Sequence, residues 1–151
     1  MQLVYNETKK NHLTVITDLI EPAKRIVICS GWIKSCGLTL LLPVIDRALA
    51  RNASIIIYTN IEHTPPACAR ALAIRQGLQH IIAPSRPYLH TKLYYVETAS
   101  YFKAILGSAN ITAGAFRTNE ELSIVLEGEL GTVEHTNILD YLARLGRYHN
   151  G

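Results

Sequence analysis

His90 and Lys92, followed by Gly107, Ser108 and Asn110, are the residues whose types and spacing could do chemistry. The segment reads H-T-K-L-Y-Y-V-E, then nine residues, then G-S-A-N. It sets a nucleophile-capable imidazole, a fixed cation and a small-residue turn ending in an amide on neighbouring pieces of backbone. Cleaving a phosphodiester needs a nucleophile or activated water and a proton for the leaving oxygen. It also needs cationic or hydrogen-bonding partners for the phosphoryl oxygens. Glu97, Glu120 and Glu121 lie near the motif, but neither an Asp-x-Asp nor a His-Glu-x-x-His pattern accompanies them. The chemistry expected is therefore a route without metal or cofactor, drawing on His, Lys and Asn.

If the chain is extended at the motif, His90 and Lys92 project from one face. Gly107 and Ser108 end the next strand with little bulk, which would let a phosphate approach the backbone closely. Asn110 adds an amide donor at the same edge. Thr112 to Phe116 reads as a short turn or helical start, whose free N–H groups would favour an anion.

These residues need a scaffold, and the pattern around them alternates. Leu3–Tyr5, Arg25–Ser30, Ala53–Tyr58 and Gln79–Ala83 read as strands. Between them, Lys10–Ala23, Leu38–Arg51 and Thr64–Gln76 read as helices, with Pro43 in the first turn of the second or splitting off a short leading turn. Lys92–Val96 and Tyr101–Leu106 form a hairpin joined near Thr98–Ser100, and Leu122–Glu127 is a further strand. Thr132–Tyr148 closes the chain as an amphipathic helix with Val133, Ile138, Leu139, Leu142 and Leu145 on one face. The expected fold is a single α/β layered domain over residues 1–151, with a mixed, mostly parallel β-sheet flanked by helices on both faces.

Composition agrees with a globular domain: 48% of residues are hydrophobic and 18% charged. The net charge of +3, with a pI near 8.8, permits a polyanionic partner without demanding one. The longest apolar runs stop well short of a membrane span. No secretion signal opens the chain, so the expected location is cytoplasmic. Three cysteines with no C-x-x-C indicate neither a disulfide framework nor a zinc site.

The run His90, Lys92, Glu97, then Gly107, Ser108, Asn110, then Asn119-Glu120-Glu121, resembles the signature of the phospholipase D superfamily. The likeness is sharp from about residue 88 to 126, and the single motif and chain length are similar to its small bacterial nuclease branch. The resemblance implies a phospholipase D-like fold and a metal-independent phosphodiesterase, most simply an endonuclease acting on DNA or RNA. It implies that His90 attacks phosphorus to form a phospho-histidine. Lys92 and Asn110 then bind the non-bridging oxygens with Ser108 nearby, and Glu121 orients His90. Glu97 stands where the family usually has Asp, and the longer gap to Gly107 is expected to lengthen the Thr98–Ser100 turn. In the superfamily a second His protonates the leaving oxygen, from a second motif. None of His12, His63, His80, His135 and His149 is followed two residues later by Lys. The resemblance therefore implies a two-fold homodimer with both His90 side chains facing across the interface.

Other residues read less sharply. Arg86, Tyr88 and Arg117 flank the motif as candidate substrate contacts. Trp32 fits either the cleft mouth or the core. His63, His80, His135 and His149 read as surface residues. The other strand aromatics, Tyr94, Tyr95, Tyr101 and Phe102, read as packing. Two further functions remain open: a phospholipase or phosphatidyl transferase, and a non-catalytic dimerising or DNA-binding module of a larger nuclease or helicase system. No helix with a basic membrane-facing side supports the first.

Overall fold

The computed structural model of the protein describes residues 1–148; His149 lies outside them. The elements run β1 (Gln2–Val4), α1 (His12–Ile20), β2 (Arg25–Ser30), α2 (Ser35–Ala50), β3 (Ser54–Asn60) and α3 (Pro66–Ala73). They continue with β4 (Leu78–Ala83), β5 (Lys92–Glu97), β6 (Tyr101–Gly107), α4 (Ala113–Arg117), β7 (Ser123–Glu129) and α5 (Val133–Leu145). One seven-stranded sheet has the order β1-β7-β6-β5-β2-β3-β4.

The sheet is mixed, as expected, but "mostly parallel" needs correction. Only β2–β3 and β3–β4 pair in parallel, and the other four pairings are antiparallel. The reason lies in the connections. Residues 84–91 join β4 to β5 without a helix, too short a path to return to the far end of the sheet, as a parallel neighbour requires. The chain therefore crosses the ends of β3 and β2 and enters β5 on the far side of β2, running back. Thr98 N–H then bonds Tyr101 C=O at 2.9 Å. This closes a tight hairpin in which Glu97 pairs with Phe102.

Helices cover both faces. One side chain set, including Ile26, Ile28, Ile55, Ile57, Tyr94 and Val96, packs under α1, α2, α3 and Phe116 of α4. The alternate residues Val27, Cys29, Tyr95, Phe102 and Ala104 pack under α5 through Ile138, Leu142 and Leu145. Adjacent Tyr94 and Tyr95 thus serve opposite faces, as strand alternation demands, and the packing reading of these aromatics holds. Val133 is exposed, so it does not belong to the buried face of α5; His135 does.

Helix α2 starts at Ser35, earlier than expected, and Pro43 lies inside it. The lost Pro43 N–H bond is offset by burial of Leu38, Leu41, Val44, Ile45 and Ala48 on its inner face. Gly37 permits this entry: a Cβ there would lie 2.5 Å from the Ile111 carbonyl, so α2 rests directly on the loop after Asn110.

Candidate active site

One end of the sheet gathers the motif. The carboxyl ends of β2 and β3 come beside the start of β5, with Thr59 paired to Ser30 and Ser30 to Lys92. Gly107, at the end of β6, pairs with Ser123 at the start of β7. Loops leaving such an edge are where open α/β sheets place their ligands.

His90 lies two residues before β5, exposed, while Leu89 before it is buried. The backbone there is held from two sides. Asn60 Nδ2 donates to the Leu89 carbonyl at 3.3 Å, and Gly31 lets β2 approach so closely that a Cβ would lie 2.9 Å from that same oxygen. Lys92 Nζ stands 3.1 Å from each ring nitrogen of His90. The two side chains thus share one space. Partial burial lowers the Lys92 pKa from its ordinary value, and the Glu121 charge offsets part of that shift.

Asn110 is oriented by its acceptor end. Its Oδ1 faces the Trp32 N–H at 3.1 Å and the Ser30 hydroxyl at 3.3 Å. A backbone N–H can only donate, so the atom facing it is the oxygen and the NH₂ points away. The Ser30 hydroxyl is a hub: it donates to the Trp32 carbonyl and accepts from Ile111 N–H at 3.0 Å. Tyr94 OH holds the preceding Ala109 carbonyl at 2.9 Å from within the core. Thr112 caps α4 through the Ala115 N–H, as the reading of a short helical start there foresaw.

Other expected residues are placed differently. Gly107 does not open the backbone to a phosphate. A Cβ there would overlap Ser123 Oγ and lie 2.5 Å from the Leu122 carbonyl, so the protein's own β7 fills that space. Ser108 Oγ donates to Glu121 Oε1 at 2.6 Å and accepts from Leu122 N–H at 3.1 Å. Glu121 is thereby joined to Ser108, and among the described bonds none links it to His90. Glu97 is at the opposite end of β5 from Lys92. There it accepts from Arg25 (3.0 Å), Tyr95 (2.5 Å) and His135 (3.3 Å), tying the sheet to α5. Burial works against its ionised form, but these partners together hold its carboxyl below the ordinary range. Arg86 is exposed on the loop before His90, and Arg117 is exposed at the end of α4.

Several participants escaped the sequence reading. Ser30, Gly31 and Asn60 end strands that were recognised, and a polar or glycine terminus at each was the available signal. His135 is buried, contrary to its reading as a surface residue. Its Nδ1 accepts from Gly131 N–H, so its proton sits on Nε2 toward Glu97. His12 is fully buried between Asn6 Oδ1 (2.9 Å) and Ser123 Oγ (2.8 Å), behind the G-S-A-N strand. His80 is half-buried and bonded to Thr59. Trp32 is not in the core: it is 40% exposed and stacks on His63 with ring centroids 3.9 Å apart.

A family model described as "Cardiolipin synthase, PLD-like domain" matches residues 15–143. The chain belongs to the phospholipase D-like family. Its fold is shared with Nuc, a phospholipase D family member from Salmonella typhimurium, at 17% identity and a TM-score of 0.75 over 99% of this chain and 93% of that one. NucT from Helicobacter pylori is similar at 14% identity and a TM-score of 0.69, over 95% and 92% of the two chains. Phosphatidylserine synthase from Haemophilus influenzae has 16% identity and a TM-score of 0.69, covering 97% of this chain but 38% of that one. Comparison with curated proteins yields no match. At these identities the likeness establishes the phospholipase D-like fold, while the site rests on the geometry above.

Proposed function

We propose that the protein is a metal-independent phosphodiesterase, an endonuclease cleaving DNA or RNA through a phospho-histidine at a site built from two copies of the chain. The observation that carries this is the cluster itself. His90 has Lys92 Nζ 3.1 Å from its ring nitrogens, and Asn110 turns its NH₂ outward because Trp32 holds its oxygen. The near end-to-end likeness to Nuc and NucT supports a small nuclease.

In the proposed reaction a ring nitrogen of His90 attacks phosphorus. The bond to the leaving oxygen breaks, and its electron pair stays with that oxygen. His90 of the second copy protonates it. Lys92, Asn110 and Ser108 hold the non-bridging oxygens, which carry more charge in the transition state than before it. Water then attacks the phospho-histidine, gives a proton to the second His90, and the P–N bond breaks to regenerate the imidazole. Glu121 orients His90. The Ser108 hydroxyl donates to Glu121 Oε1 in the single chain, so its role at a phosphate requires it to release that bond, while Glu121 keeps Oε2 for His90.

The need for a second copy has a structural argument. His12 and His135 have both ring nitrogens engaged, and His80 is bonded to Thr59. His63 is stacked under Trp32 with Tyr88 between it and His90. None of these is placed to protonate a leaving group at His90. Tyr88, 43% exposed and 6.0 Å from the His90 ring, is a proposed substrate contact along with Arg86 and Arg117.

The test is incubation of purified protein with DNA and with RNA in EDTA, beside a His90→Ala control. Cleavage by the wild type alone is expected. Equal background in both would reject the reading. A phospholipid substrate is the second reading, favoured by the family description and by the shared fold of phosphatidylserine synthase. Release of choline or ethanolamine from vesicles, with nucleic acid left intact, would establish it instead.

A further inference from the structure

We infer that the cleft beside the candidate active site is a nucleobase subsite, which makes unpaired nucleic acid the substrate class; the inference rests on the nuclease reading and deepens it. The cleft has a volume of about 400 Å³ and is lined by Trp32, Lys34, Glu62, His63 and Pro65, among others. That volume lies within the range of small-ligand clefts.

A ladder of rings leads from it to the nucleophile. Trp32 stacks on His63 at 3.9 Å with an 18° tilt. His63 meets Tyr88 edge-on at 6.0 Å, and Tyr88 meets His90 at 6.0 Å. The platform is therefore within reach of bases flanking a phosphate held at His90. It is also coupled to the site through one residue, because the Trp32 main chain that places the indole also orients Asn110 and bonds Ser30.

The chemistry of the walls selects a base over a phosphate or an acyl chain. His63 covers one face of Trp32, and the indole is still 40% exposed, surface on which any nucleobase can stack. Lys34 Nζ lies over the Trp32 ring at 5.9 Å, a cation–π arrangement that a stacked base can extend. Glu62 repels a phosphate but can accept from the exocyclic amino group of a base. An acyl chain would find two ionisable ends beside every ring. In a duplex the base faces are covered by their neighbours, so stacking on this platform requires an unpaired strand.

Trp32 is the single tryptophan of the sequence, so its fluorescence reports on the cleft directly. Full-length His90→Ala protein would be titrated with single-stranded oligodeoxyadenylate, the same oligomer with abasic sites, a duplex of equal length, and phosphatidylglycerol vesicles. Saturable quenching by the base-bearing single strand, and little by the others, is expected. Equal quenching by duplex or abasic oligomer, or a response to vesicles alone, overturns the subsite. In cleavage assays Trp32→Ala should raise KM for single strands about 5- to 100-fold, with Trp32→Phe recovering most of it. The loss falls on KM because Asn110 is held by the main chain, which the substitution keeps. Quenching without cleavage by the wild type would remove the nuclease reading and leave the subsite. Cleavage with an unchanged KM in Trp32→Ala would remove the subsite and leave the nuclease.

Discussion

Asn110 Oδ1 accepts from the Trp32 backbone N–H at 3.1 Å, and this bond decides which end of the amide a phosphate at the proposed site would meet. Asn110→Asp keeps the acceptor and with it the loop, but replaces the outward donor by an anion. We expect kcat to fall by about 10²–10³ with a melting temperature close to that of the wild type. Near-normal turnover on a nucleic-acid substrate would show that Asn110 only shapes the turn.

If each site needs His90 from both copies, mixing wild-type with His90→Ala chains under exchange dilutes activity faster than protein. At equal amounts, roughly one quarter of dimers carry two imidazoles. Activity per total chain should follow the square of the wild-type fraction. A linear decline would mean that one chain works alone.

Burial lowers the Lys92 pKa from its ordinary 10.5. A lowered pKa means the cation is lost earlier as pH rises. The rate should therefore show an alkaline limb beginning below 10.5, and Lys92→Arg, charged throughout, should move that limb upward at reduced kcat. A wild-type profile flat to pH 10.5 would contradict this.

His12 binds its proton less readily when folded, because burial opposes the charge; the Glu121 charge offsets only part of this. Between its folded pKa and the ordinary 6.5, the unfolded chain holds more protons than the folded one. Stability is thus fully present above 6.5 and declines as pH falls below it. Urea midpoints at pH 7.5 and 5.5 should show the loss, and His12→Gln, though weaker overall, should show less of it. Identical slopes in the two proteins would assign the loss to other groups, His80 among them.

Gly107→Ala should act on folding and not on substrate affinity. The new methyl would meet Ser123 and Leu122 inside the β6–β7 pairing, costing on the order of 1–3 kcal/mol. Thermal unfolding should fall by several degrees while KM stays put; the reverse pattern would restore Gly107 to the phosphate.

The motif was legible because its residues are chemically distinctive and close in sequence. So were most elements, since buried strands such as Ile55–Tyr58 and the stripe of α5 carry their periodicity openly. What was not legible is what holds the motif. Ser30, Gly31 and Asn60 are ordinary strand-end residues whose value comes from partners 29 to 81 positions away. The burial of His12 and His135 depends likewise on Ser123 and Glu97, remote in sequence. The strand directions turned on the path of residues 84–91, which periodicity does not encode.

Strand β2 sits between the two halves of the sheet, parallel to β3 on one edge and antiparallel to β5 on the other. The first pairing spans 29 positions, and the second joins Arg25 to Glu97 across 72. During synthesis, which proceeds from the amino end, β2, β3 and β4 emerge together with α1, α2 and α3, which cover one of their faces. They leave one edge of β2 unsatisfied until Lys92–Glu97 follows. That open edge is both a template and a hazard: it sets the register that brings His90 over Gly31, and any foreign strand that occupies it first denies the site its place.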